Sequence, residues 1–284
     1  MGNKTAKLLI VLLLVCLPSQ AFGALLYDAS GEFTDHGRGA TTDDLTTLTV
    51  LVWFYPTSLA ETEGVIISKF RGLANEGWQF YKRTDGNLSF AFARVPSYMT
   101  YTTDTAPLSI GTWEFAAAVA DQAASPVAKI YHGDLGAIAA EQTYGTAADG
   151  SGTFGLDNAR QLYVGNRDAG GGNAALGGRV AIAAVFNRVL TLAEIQSWQF
   201  QPRALSGCVL FVAEGFNGVG TQADWSGTGN NGTVTNATVA NHVPLPAPFA
   251  GAVEEDSIVA KASLPQRIMI AFKNLLVRFK EIFA

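Results

Sequence analysis

A chain of 284 residues, 48% hydrophobic and only 15% charged, is long enough to bury one large core with appendages and is not disordered throughout. Its 30 glycines against 10 prolines favour many turns and short strands over long helices. Between Ala24 and Ala250, 12 Lys and Arg stand against 20 Asp and Glu, a net charge of −8; this excludes a nucleic-acid partner, because phosphate binding needs clustered basic residues, and suits neutral glycans or cations.

At the start, Lys4 and Lys7 precede an apolar run from Leu8 to Leu17 that Pro18 breaks, and Ala21 and Gly23 place small residues at a cleavage site. Residues 1–23 therefore read as a secretory signal peptide, so the mature protein is expected to be secreted or extracytoplasmic. An uncleaved membrane anchor is the alternative, although the run is short for a span. Without the signal, Cys208 is the one cysteine left, so no internal disulfide can form and stability must come from packing.

From Ala24 the pattern is of strands. Ala24 to Tyr27 starts the first, and Asp28 to Gly31 turns it. Thr46 to Tyr55 (TTLTVLVWFY) is the strongest, dense in β-branched and aromatic residues, and Pro56 stops it. Val65 to Lys69 follows; Trp78 to Lys82 and Leu88 to Phe92 then flank Asp85-Gly86, a hairpin signal, with Leu88, Phe90 and Phe92 on the core face. Met99 to Thr103 reads as a polar edge strand. Gly111 to Phe115 leads into an alanine-rich run to Ala120, helical by propensity but set between turn signals, so strand is favoured. Val127 to Tyr131 is the next strand, with its turn at Gly133.

Gln161 to Gln199 packs a strand, a glycine loop, another strand and a helix into one segment. Leu162-Tyr163-Val164, ended by Gly165, and Val180 to Phe186 read as two adjacent strands. The loop from Asn166 to Asn173 cannot build a core but can face a ligand, so Asn166, Arg167, Asp168 and Asn173 are the candidate ligand-binding residues. Thr191 as N-cap, Glu194 closing a capping box and Leu190 stapled to Ile195 predict a short helix over 191–199.

Leu162 to Gly165, Gly178, Val185-Phe186-Asn187-Arg188, Leu190-Thr191 and Glu194-Ile195 together resemble the closing pattern of laminin-G-like, concanavalin A-like jelly-roll domains. The resemblance extends over about Ala24 to Pro248 and implies an all-β sandwich of two antiparallel sheets. Ala181 and Ile182 stand where that pattern carries an acidic pair, so no role of those carboxylates is carried over. Further on, Cys208 to Val212 suits a buried strand, with Cys208 as a small core residue. The stretch Asp224 to Thr233 resembles a turn that occurs near the start of such domains, which implies that the two ends of the sandwich lie together. The globular domain is read as 24–248, followed by a linker over 249–263. Residues 264–284 form an amphipathic helix, with Ile268, Phe272, Leu275, Phe279 and Ile282 on one face, that docks on its own domain, self-associates or rests on a membrane.

Domains of this fold are lectins, adhesive modules or glycosidases. The paired-carboxylate motif E-x-D-x-E that the family's hydrolases carry on one strand is missing, and Glu61 and Glu63 read as solvated loop charges. His36, His132 and His242 are too scattered for a transition-metal site. Calcium is the cofactor the resemblance implies, with Asp224, Asn230 and Asn231 supplying oxygens; a plain Asx-rich turn is the other reading. The sequence thus points to a non-catalytic module that binds a glycan or surface polymer. A protein-binding adhesive module is the rival, and a glycosidase with unusual carboxylates is a third reading. An aromatic-floored groove would favour the first and a flat apolar patch the second.

Overall fold

The computed structural model describes residues 23–71, 76–167 and 174–245. Residues 1–22 of the predicted signal segment, the predicted linker and C-terminal helix, Asp168 and Asn173 lie outside the described residues, and Gly23, the last residue of that segment, is the first of β1. Two antiparallel sheets form a sandwich. The first orders β10 (Ala140–Glu141), β9 (Ala128–Asp134), β8 (Glu114–Asp121), β3 (Thr47–Pro56), β14 (Gly178–Phe186), β1 (Gly23–Tyr27) and β17 (Thr238–Asn241), with β15 (Cys208–Ala213) following β1 along the same side of β14. The second orders β11 (Tyr144–Ala148), β7 (Tyr98–Thr103), β6 (Leu88–Pro96), β5 (Glu76–Lys82), β4 (Gly64–Arg71), β13 (Tyr163–Val164), β2 (Phe33–Asp35) and β16 (Thr233–Thr235), with β12 (Gly152–Phe154) against the end of β6.

Alternation builds the core. Leu48, Val50, Val52 and Phe54 of β3 face Leu88, Phe90 and Phe92 of β6 across one apolar cluster, all of them buried. The alanine-rich β8 is a strand, as expected: it pairs with β3 from Thr47↔Asp121 to Phe54↔Glu114, and Ala116, Ala118 and Ala120 enter the core. Sheet pairing overrides the helix propensity of alanine because burial outweighs a few tenths of a kcal/mol per residue. The predicted hairpin forms too, with Gly86 at φ 78° and Arg83 N–H donating to Asn87 O.

The strands β3 and β14 are buried on their outer face as well, because α1 (Leu192–Phe200) lies over the first sheet. Its N-terminus is the predicted capping box, with Thr191 and Glu194 exchanging hydrogen bonds, and Leu190 and Ile195 are both buried. Arg188 pairs with Glu194 and holds its carboxyl down to about 2. Trp198 packs on Phe115, which packs on Trp53, with ring centroids 6.0 and 5.5 Å apart. Each such ring contributes about 1.5 to 3 kcal/mol on burial.

Three expectations are corrected. Strands β13 and β14 are not adjacent: β13 pairs with β2 and β4 in the second sheet while β14 pairs with β1, β3 and β15 in the first, so the glycine loop carries the chain between sheets. Apolar runs of this length fit either sheet, and local pattern cannot choose. Strand β9 continues through Gly133 to Asp134, and β7 is not an edge, since β11 covers it. The ends of the domain do meet, through β17 on β1 and β16 on β2. Among the described residues no helix is long and apolar enough to cross a membrane.

Candidate functional site

The residues of highest interest lie where β3 and β9 end and β8 begins. Along β3, Val52 and Phe54 turn inward, so Trp53 and Tyr55 turn outward. Trp53 is sealed beneath α1 and donates its Nε1–H to Gln199 O at 2.8 Å. Tyr55, one step beyond the helix, is half-buried and meets Trp113 edge to face at 5.4 Å. Gly111, at φ 83°, makes the tight turn that delivers Trp113, and its N–H donates to Pro56 O. The two rings line a groove of about 400 Å³ together with Ser109, Thr112, Glu114, His132, Asp134 and Leu135.

The polar wall is built just as firmly. Glu114 is 3% exposed, and its carboxylate accepts from Ser109 N–H at 3.1 Å, Thr112 Oγ1–H at 2.5 Å and His132 Nε2–H at 2.7 Å. Nδ1 is the ring nitrogen left outside that bond. The turn after β9 is anchored by the helix. Gln199, fully buried, donates Nε2–H to Asp134 O and Ala137 O and accepts from Ala139 N–H. A Cβ on Gly133 would stand 2.8 Å from Gln199 Nε2, so glycine lets the strand approach this anchor. Glu114, Asp134 and two aromatic faces are thus held by rigid elements at one rim, an arrangement suited to hydrogen-bonding and stacking a sugar ring.

The residues predicted from the loop sit elsewhere. Asn166 is 5% exposed; its Nδ2 donates to Glu32 O and its Oδ1 accepts from Arg167 N–H. Arg167 pairs with Glu63 and reaches Gln79. Glu61 and Glu63 are therefore not solvated charges, which corrects the sequence reading. Glu61 pairs at 2.7 Å with the fully buried Lys82. Partial burial pushes the Glu61 carboxyl up, but the Lys82 hydrogen bond prevails and holds it below its ordinary value.

Asp224, Asn230 and Asn231 do come together. Asp224 Oδ1 accepts from Phe211 N–H and Ser226 N–H, and Oδ2 from Ser226 Oγ–H, Thr228 Oγ1–H and Asn230 N–H; Asn231 Oδ1 accepts from Asp224 N–H. A calcium ion would have to displace these donors, so the oxygens as arranged fit an Asx-rich turn and not an ion. Among the described residues no cluster of three or more His, Cys, Asp or Glu is set to hold a metal.

His36 and His132 are each paired with a carboxylate, which their scatter in sequence concealed. His36 is sealed with Glu214, Tyr27 and Thr34: Tyr27 Oη donates to Glu214 at 3.1 Å and Thr34 Oγ1 at 3.0 Å. Cys208 is buried as expected, and burial pushes its thiol up to about 12. Sequence reasoning missed Tyr55 and Trp113. The available signal was an outward-facing aromatic one residue before Pro56 and a tryptophan two residues after Gly111.

No curated protein sequence matches the chain. Among solved structures, a candidate carbohydrate binding protein from Bacteroides ovatus is similar at 16% identity and TM-score 0.51; the match covers 81% of this chain and spans only 63% of that protein. The SAP-like pentraxin of Limulus polyphemus matches at 12% identity and TM-score 0.45, over 80% of this chain and 92% of its own. The CBM40 of the Ruminococcus gnavus IT-sialidase matches at 14% and 0.44, over 62% and 96%. A sequence profile of the concanavalin A-like lectin/glucanases superfamily matches residues 30–196, in agreement with the two-sheet sandwich and its capped helix. The protein belongs to the concanavalin A-like lectin/glucanases superfamily.

Proposed function

We propose that this protein is an exported, non-catalytic carbohydrate-binding module whose ligand rests in the groove of Trp113 and Tyr55. The observation that carries the reading is the ring pair standing beside Glu114, His132 and Asp134 on the ends of three strands. The Bacteroides ovatus protein that shares the fold is described as carbohydrate binding, and the reading extends that role to this chain. Binding without turnover is supported by Glu114: its carboxylate is buried and spent on three donors, which leaves it poorly placed to trade protons with a glycosidic oxygen. The Asx turn at Asp224 closes on itself without calcium in this reading.

A glycan array probed with the purified protein and with Trp113→Ala tests the proposal. Glycans bound by the parent and lost by the variant, with both melting alike, are the expected result. A variant that retains full binding removes the groove as the site. A blank array favours the adhesive alternative, for which Ile110, Leu135 and Ile138, 56%, 42% and 57% exposed, supply apolar contacts. Export is tested by mass spectrometry of the processed chain, expected to start at Ala24.

A further inference from the structure

We infer that the groove selects glycans by charge: a sugar bearing a protonated amino group binds most tightly, a neutral sugar less, and a carboxylated or sulfated sugar least. The inference rests on the glycan reading above and adds to it the chemical class of the ligand. No Lys or Arg lines the groove, whereas Glu114 and Asp134 do. Glu114 shares its charge with three donors. Asp134 does not: Oδ1 accepts from Gly136 N–H and Ala137 N–H, both at 2.6 Å, while Oδ2 accepts no hydrogen bond among the described residues.

The aromatic wall has the same preference, since ring faces attract an ammonium group and repel an anion. The Arg179 guanidinium stacks on Tyr55, 4.8 Å from the ring centroid, and Arg179 is not among the groove's lining residues. An anionic sugar would thus face two carboxylates with no Lys or Arg among the lining residues, and like charges brought together at a binding surface suppress binding.

The test is calorimetric titration of the full-length protein at pH 6 and low salt with four tetrasaccharides: β-1,4-linked glucosamine, its fully N-acetylated form, a β-glucan and a uronic acid oligomer. The glucosamine oligomer is expected to bind about tenfold or more tighter than either neutral one, with the uronate weakest. Added salt narrows the gap. Asp134→Asn keeps an acceptor for Gly136 and Ala137 but removes the charge, so the ratio of neutral to amino Kd falls toward one. Equal Kd values for amino and neutral oligomers, or an undiminished ratio in Asp134→Asn, overturns charge selection and leaves the glycan reading standing. Array glycans bound but none of the four tetrasaccharides has the same meaning. A blank array together with four silent titrations removes both.

Discussion

The molecule uses the same pair of side chains, a histidine against a glutamate, in two places and to two ends. His36 and Glu214 are both fully buried, 3.3 Å apart, and every partner around them comes from the chain itself: Tyr27, Thr34 and Asn230 O complete the network. His132 and Glu114 stand 2.7 Å apart with the histidine side chain 14% exposed and a groove in front of it. A polar pair whose partners are all internal locks a fold, whereas one left open on one side keeps bonding capacity for a ligand. The sealed pair joins β1, β2 and the chain beyond β15, where the ends of the domain meet. The open pair joins the ends of β8 and β9.

Breaking the sealed pair should produce the largest effect. Glu214→Ala strips Tyr27, Thr34 and His36 of a shared acceptor at once, and urea unfolding should show a loss of about 3 to 5 kcal/mol. A loss below about 1 kcal/mol would mean that the network does not hold the two ends. At the open site the ordering reverses: Trp113→Ala should weaken glycan binding by about 2 kcal/mol, near thirtyfold in Kd, while leaving stability within about 1 kcal/mol. A variant that instead melts early would place Trp113 in the core.

A third comparison uses pH. Burial opposes protonation of His36, but the hydrogen bond and charge of Glu214 outweigh it and raise the ring above its ordinary 6.5. A raised value means that the protonated ring stabilises the fold fully below pH 6.5, and that this stabilisation is lost as pH climbs through the folded-state value. The urea midpoint should therefore fall as pH rises across that window, and His36→Gln should flatten the trend; an unchanged trend would assign it to other groups. The smallest effects concern single groups. Cys208, with its thiol pushed to about 12, should resist a disulfide reagent in the native protein and react on unfolding. Millimolar calcium should leave the melting temperature unmoved, because Asp224 already has five donors; a clear upward shift would show that an ion displaces them.

Much of the fold was legible because local rules carried it. The alternation in Leu88, Phe90 and Phe92, the Asp85-Gly86 turn and the capping box at Thr191 act over a few residues, and each formed as expected. The candidate site was far less legible. Asn166 and Arg167 looked available because they follow a glycine, yet partners distant in sequence, Glu32 just before β2 and Glu63 just before β4, absorb them. Tyr55, Trp113, His132 and Asp134 span three strands, and no local spacing links them.

The sequence by itself determined the longer strands, where the helix begins and which side chains of β6 face the core, since those choices depend on periodicity, turn residues and capping within a short window; the short β2, β10, β11, β12, β16 and β17 carry too little local pattern and were not foreseen. Only the tertiary structure decided which sheet each strand joins, that β13 and β14 part company, and which of two histidine–glutamate pairs is sealed. Those outcomes depend on contacts between residues such as His36 and Glu214, far apart in sequence, whose geometry exists only once both sheets have closed on the core.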